Sequence, residues 1–161
     1  MSADGVSAAT SNLKLVPKTK EEVLAMVEAM TPAEKAQLST DWQALLLGST
    51  TADPWIHGFS MVHRDSEAVV GTCGFKGPPA DGVVEIAYGV SPDQQGKGYA
   101  TEAAQILTDY AFSSGKVRVV RAHTLPEWNA STRVLTKNGF RRIGEVIDPE
   151  DGLVWRWERE G

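Results

Sequence analysis

Two stretches of the chain carry residue types and spacings suited to chemistry. Gln95-Gly96-Lys97-Gly98-Tyr99-Ala100 sets two glycines around a lysine, immediately ahead of a run of good helix formers that extends to Phe112. A glycine turn that opens a helix can aim backbone N–H groups at an anion, and the positive end of the helix dipole adds to that pull. Gln95 and Lys97 offer side-chain donors to the same turn. Just upstream, VVEIAYGV has the two-residue period of a strand. Val84, Ile86, Tyr88 and Val90 share one side, and Val83, Glu85, Ala87 and Gly89 share the other. The first side reads as a core face. The second puts a single carboxylate beside two very small residues, which leaves room for a substrate.

Which phosphate the turn could hold is narrowed by what it lacks. A nucleoside-triphosphate loop needs G-x-x-x-x-G-K-[ST], but Ser91 stands where its first glycine belongs and Gly98 where the magnesium-binding hydroxyl belongs. A dinucleotide fingerprint needs G-x-G-x-x-G, and Thr101 occupies the third glycine position. A nest of backbone donors for a pyrophosphate, needing no metal, remains. So does a plain strand-to-helix turn. On these residues alone the two readings stand level.

The elements that must position these residues follow from periodicity and punctuation. NLKLV reads as a short strand. KEEVLAMVEAM spaces Val23, Met26, Val27 and Met30 as one helix face. Thr31, with Pro32 and Glu34 behind it, predicts a capped second helix running through EKAQLSTDWQALLL to Gly48. WIHGFSMVHRD and AVVGTCGFKG read as two antiparallel strands, GPPADG as a turn, and VVEIAYGV as a strand. The glycine loop then opens the helix YATEAAQILTDYAF. VRVVRAHTL is a strand, NASTRVLTKNG a short helix stopped by Asn138-Gly139, and FRRIGEVI and LVWRWERE are two last strands joined by DPEDG. That order predicts an α/β or α+β fold: a mixed sheet of about seven strands with about four helices on its faces. Residues 1–11 read as a flexible tail and 12–161 as a single domain.

Composition sets the outer limits. The chain has 161 residues, an apolar share of 42% and a formal net charge of −5, an ordinary globular balance that argues against a general nucleic-acid binder. No apolar run approaches the ~20 residues of a membrane span. The polar start has no signal-peptide pattern, and Cys73 is the only cysteine, so a cytoplasmic location without disulfides is expected. From Lys97 to Arg142 eight Lys/Arg face three Asp/Glu, a net of +5 that leaves −10 for the rest. His57, His63 and His123 show no metal-ligand spacing, and no metal is expected. His123 is a candidate for the floor of a site. Cys73, Trp155 and Trp157 read as packing residues.

VEIAYGVSPDQQGKGYATEA closely resembles the acetyl-CoA segment of the GNAT superfamily of acyl-CoA N-acyltransferases, whose signature Q/R-x-x-G-x-G/A is met in full from Gln95 to Ala100. NASTRVLTKNGFRRIGEV is similar to the superfamily's next motif, especially in the RimL-like branch of ribosomal-protein N-terminal acetyltransferases. The resemblance covers about Val69 to Val146. It implies the GNAT fold, with a twisted, mostly antiparallel sheet. It also implies transfer of an acetyl group from acetyl-CoA to a primary amine, a protein N-terminus or a small molecule, by direct attack in a ternary complex. A non-catalytic acyl-CoA-binding domain on the same fold is the alternative, and a homodimer is compatible.

Residue by residue, the resemblance implies that Gln95, Gly96, Lys97, Gly98, Tyr99, Ala100 and Thr101 cradle the pyrophosphate. Tyr88, Gly89 and Val90 would line the pantetheine arm, with the Val90 N–H near the thioester oxygen. Glu85 stands where many relatives place the acid that accepts the amine's proton; a surface carboxylate is the other reading. The motif departs from the family at Trp128, which takes the usual asparagine position and shifts Asn129 one place on. Asn129 then either reaches the pantetheine or caps the helix that follows. Ser131 matches a family serine near the cofactor sulfur and is a candidate proton donor to the leaving thiolate, against an ordinary helix serine. Leu135 occupies the position at which some members carry a tyrosine acid. Arg133 and Lys137 face either the 3′-phosphate end or solvent.

Overall fold

The computed structural model describes residues 12–36, 40–48, 54–148 and 152–161. The expected tail, residues 1–11, and the middle of the DPEDG turn lie outside them. The elements are β1 (Leu13–Pro17), α1 (Lys20–Glu28), α2 (Pro32–Ala36), α3 (Thr40–Gly48), α4 (Pro54–His57), β2 (Phe59–His63), β3 (Val69–Phe75), β4 (Val83–Val90), α5 (Tyr99–Ser113), β5 (Val119–Thr124), α6 (Ala130–Lys137), β6 (Arg141–Asp148) and β7 (Gly152–Glu160).

All seven strands form one sheet in the order β1-β2-β3-β4-β5-β7-β6. Every neighbouring pair is antiparallel except β4 and β5, which run parallel. The mixed, mostly antiparallel sheet expected from the sequence is therefore present. Its one parallel pair arises because α5 carries the chain from the end of β4 back to the start of β5, the crossover a parallel neighbour requires.

Local chemistry explains most boundaries. Thr31 and Glu34 close the anticipated capping box, with Glu34 N bonded to Thr31 Oγ1 at 3.2 Å and Thr31 N to Glu34 Oε1 at 2.8 Å. Thr19 and Glu22 build a second box at the start of α1. The helix predicted from Thr31 to Gly48 is described as two segments, α2 and α3, with residues 37–39 outside the described ones. The strand predicted to begin at Trp55 is corrected: residues 54–57 form a helical turn and β2 begins at Phe59. Pro54 favours a first helical position, and Gly58, at φ +72°, ends the turn left-handed before the chain extends. An added Cβ at Gly58 would sit 2.8 Å from the Cys73 carbonyl oxygen, so this crossing also needs the missing side chain.

The main core lies between the sheet and α5. Ala103, Ala104, Leu107 and Ala111 are buried against Val84, Ile86, Val120 and Ala122. Trp155 and Trp157 belong to this core, as their alternation with charged neighbours implied. Small alanines on α5 let the helix sit close to the strands and hold its N-terminus beside the end of β4.

Candidate active site

β4 and β5 pair only at Val83–Val119, Val84–Val120 and Glu85–Arg121. From Ile86 to Val90, β4 is bonded to β3 on one edge and has left β5 on the other. The phase of its ladder is fixed by Lys76 N to Glu85 O and Ser91 N to Val70 O, at 2.9 and 2.8 Å. Antiparallel pairing alternates, so Ala87 and Gly89 direct their amides to β3 while Tyr88 and Val90 turn theirs into the opening. The result is a wedge lined by free backbone, shaped for an extended amide-bearing chain.

The glycine loop closes one end of that wedge. Gly96 and Gly98 are left-handed, at φ +80° and +83°, and no protein atom lies within 4 Å of a Cβ built on either. The conformation selects glycine, and the space beside it stays open. No side chain caps the first turn of α5, so its leading amides keep their donors for an anion. Gln95 Nε2 donates to the Val90 carbonyl at 3.2 Å and ties the loop to the end of β4. Lys97 Nζ holds Gln94 Oε1 at 3.2 Å. Tyr99 is buried, its ring edge-on to His63 with centroids 5.8 Å apart, leaving only its backbone to the loop. Ala100 and Thr101 are half-buried, and the Thr101 carbonyl accepts from Asn138 Nδ2 at 3.2 Å.

Glu85 lies on the sheet face opposite α5, next to the exposed Ala87 and Gly89. Its Oε2 receives two partners, His123 Nδ1 at 2.8 Å and Lys76 Nζ at 3.1 Å. Its Oε1 has no partner among the described residues and is not sealed from solvent. Burial is the largest single influence on this carboxyl and raises its pKa. The His123 hydrogen bond, the Lys76 charge, the charge His123 carries when protonated and the Lys76 hydrogen bond oppose burial and bring the pKa below the ordinary 4.5. Behind His123, Arg156 Nε donates to Nε2 at 3.1 Å. Arg121 and Glu158 form a separate bonded pair beside it at 2.7 Å.

On the other face, the Tyr88 hydroxyl lies 3.1 Å from Ser131 Oγ, joining β4 to the first turn of α6. Burial pushes the Tyr88 phenol up, with the Ser131 hydrogen bond opposing, so it stays protonated through the neutral range. Asn129 caps α6: its Oδ1 accepts the Thr132 amide at 3.0 Å, and its own amide donates to Thr132 Oγ1 at 2.9 Å. Only the side-chain nitrogen of Asn129 is left for any other partner. Trp128 is 69% exposed and stacks edge-on against Trp155, with rings 4.8 Å apart. Arg133 and Lys137 stay exposed and, with Trp128, Asn129, Thr132 and Thr136, line a groove of about 290 Å³ along α6. At about 100° per residue Arg133 and Lys137 lie on the side of the helix away from Ser131.

Cys73 is buried, and burial pushes its thiol up to about 12, with Lys18 nearby opposing. It is a packing residue with no thiolate to offer. Among the described residues no three His, Cys, Asp or Glu side chains cluster as metal ligands, and no helix is long and apolar enough to cross a membrane. Lys76, Arg156 and the Tyr88–Ser131 contact were not foreseen from sequence. A face-by-face reading of VRAHT and VWRWERE would have put Arg121, His123, Arg156 and Glu158 on alternate positions. The β4–β5 pairing brings β5 beside Glu85, and the β5–β7 register adds Arg156 and Glu158.

Comparison with known proteins places this geometry. The model of a family described as "Acetyltransferase (GNAT) domain" matches residues 11–141. An uncharacterized N-acetyltransferase p20 of Bacillus licheniformis is 36% identical over 93 residues, 57% of this chain and 52% of that protein. The uncharacterized N-acetyltransferase YnaD of Bacillus subtilis is 35% identical over 86 residues, 53% of this chain and 51% of its own length. The chain thus spans about half the length of the curated relatives it matches. A GNAT-family acetyltransferase of Bacillus anthracis superposes with a TM-score of 0.68 at 21% identity, covering 94% of this chain and 96% of that one. The ribosomal L7/L12 alpha-N-protein acetyltransferase RimL, solved with coenzyme A, also superposes at 0.68, with 17% identity over 96% of this chain and 97% of its own. An aminoglycoside acetyltransferase solved with ribostamycin and coenzyme A superposes at 0.65, with 16% identity over 93% and 94% of the two chains.

Proposed function

Because the chain belongs to the GNAT acetyltransferase family, we propose that it transfers an acetyl group from acetyl-CoA to a primary amine, directly, in a ternary complex. The observation that carries this is the wedge. A strand edge with free Tyr88 and Val90 amides runs from an uncapped glycine-rich helix start to a carboxylate with one open oxygen. Acetyl-CoA supplies an activated acetyl thioester. The loop from Gln95 to Thr101 receives its pyrophosphate through backbone donors, with Gly96 and Gly98 leaving the approach clear. Tyr88, Gly89 and Val90 flank the pantetheine arm, and the Val90 N–H donates to the carbonyl oxygen as it gains charge.

The amine must lose a proton to attack. Glu85 accepts that proton on Oε1, directly or through a water, while Oε2 stays held by His123 and Lys76. The amine nitrogen bonds to the carbonyl carbon, the carbon–sulfur bond breaks, and the thiolate takes a proton. Ser131 gives that proton in this proposal, and its contact with the protonated Tyr88 hydroxyl, which can replace it, supports the reading. This pair stands in for the tyrosine absent at Leu135. No acyl-enzyme is invoked, because Cys73 has no thiolate and lies on β3 within the core.

The acceptor belongs to the RimL-like range in this proposal: a protein N-terminus or a small-molecule amine. Similar TM-scores to a ribosomal-protein enzyme and an aminoglycoside enzyme leave both within reach of the fold. A thiol-release assay with acetyl-CoA and an amine panel tests the activity. Amine-dependent release is expected. Tight acetyl-CoA binding with no release across the panel would assign the chain to non-catalytic binding.

A further inference from the structure

We propose that His123 is a positioning residue for Glu85, held by Arg156 in the one tautomer that can donate to the carboxylate. The inference rests on the reading of Glu85 as the group that takes the amine's proton.

The argument is one of donors and acceptors. An arginine Nε can only donate. Arg156 Nε lies 3.1 Å from His123 Nε2, so that nitrogen must present its lone pair. The imidazole is then neutral with its proton on Nδ1. Nδ1 lies 2.8 Å from Glu85 Oε2, which makes the histidine a hydrogen-bond donor and not a counter-ion. The row Arg156–His123–Glu85–Lys76 crosses three strands, β7, β5 and β4, and ends just past β3. Lys76 supplies the second bond to the same oxygen.

Two donors on Oε2 orient the carboxyl group and leave Oε1 facing the side where Ala87 and Gly89 make room. His123 is itself almost fully buried, so its ring has little freedom to release the carboxylate. Beside the row on this face, Arg121 and Glu158 bond to each other, and the strand registers put Arg141 and Glu160 on the same face farther out. A neutral histidine also spares the site a second positive charge next to the incoming ammonium. A protonated one would compete with that ammonium for Glu85.

The test uses H123A, H123N and R156M in the full chain, with folding checked by circular dichroism and thermal melting. H123A is expected to lower kcat about 10- to 100-fold and leave the KM for acetyl-CoA within about two-fold. Without the His123 donor, burial is opposed by Lys76 alone, so the acid limb of kcat/KM moves to higher pH. In H123N the side-chain amide nitrogen falls where Nδ1 was, and most of kcat and the original limb should return.

A carbon-13 titration of the Glu85 carboxyl reads the same upward move without turnover. Nitrogen-15 shifts should show the Nδ1-protonated tautomer of His123 in the wild type and a tautomer mixture in R156M. A folded H123A whose Glu85 titrates as in the wild type overturns the role of His123, as does an Nε2-protonated wild-type ring. An E85Q variant at wild-type rate overturns the Glu85 reading instead, and the carboxyl titration still reports on the His123 bond.

Discussion

At the residue scale, Glu85 has one oxygen fixed by two donors and the other open. The sign of its pH behaviour follows. Its pKa lies below the ordinary 4.5, so it is ionised through the neutral range and gains a proton only as the pH falls through that lowered value. Its favourable folded-state interactions are present above the unfolded pKa and fade as the pH falls through the lowered one. For catalysis, kcat/KM should climb with pH toward the acceptor amine's own pKa, with no break from Glu85 near neutrality. A pH–rate profile of the wild type checks this.

Ser131 and Tyr88 act as one unit in the proposed thiolate protonation. S131A and Y88F should each slow transfer about ten-fold, and the double variant little more than either alone, because both break the same relay. Additive losses in the double-mutant cycle would separate them. Glu85 was legible in the sequence because a strand's two-residue period isolates it beside Ala87 and Gly89. His123 was legible only as a candidate for the floor of a site, and its meeting with Arg156 was not, because that depends on a register between strands that lie more than thirty residues apart along the chain. Asn129 shows the converse: its capping geometry was readable as one of two alternatives, and the packed loop commits its Oδ1 to the cap.

At the element scale, the N-terminus of α5 and the departure of β4 from β5 form the proposed donor site. G98A places a Cβ on a left-handed residue, at a cost of about 1–2 kcal/mol, and into the space left for phosphate. Acetyl-CoA affinity by calorimetry should fall more than ten-fold, by about 1.4 kcal/mol or more, and the melting temperature of the unliganded protein by about 2–8 °C. N129A removes the α6 cap and should cost about 1 kcal/mol in urea unfolding. A rise in the KM for acetyl-CoA alongside it would mark a further contact from the Asn129 amide nitrogen. The Thr31–Glu34 capping box, the β3–β4 turn and the glycine turn ahead of α5 were legible because each is set by a few adjacent residues. The α4 turn was misread as strand because its apolar Trp55 and Ile56 continue a run of apolar residues, and periodicity over four positions does not separate helix from strand.

At the scale of the whole molecule, the sheet order places β7 between β5 and β6, so the last strand in the chain pairs with β5 and brings Arg156 beside His123. Element order predicted a mixed sheet, but not this insertion, which is decided by long-range packing of Trp155 and Trp157 into the core. If the wedge and the glycine loop bind acetyl-CoA as one site, saturating ligand at about a hundred times its Kd should raise stability by about 2.7 kcal/mol, seen as a rise of about 5–10 °C in melting temperature. The sequence carries no readable motif for the acceptor in the first helices or in β6 and β7.

The most direct test of the account is the single-turnover rate of acetyl transfer by E85Q against the wild type. Both substrates are saturating, and the pH runs from about 5 to about 9. The account predicts a loss of about 10²-fold or more at neutral pH with acetyl-CoA affinity unchanged. Equal rates for the two proteins at every pH would contradict it.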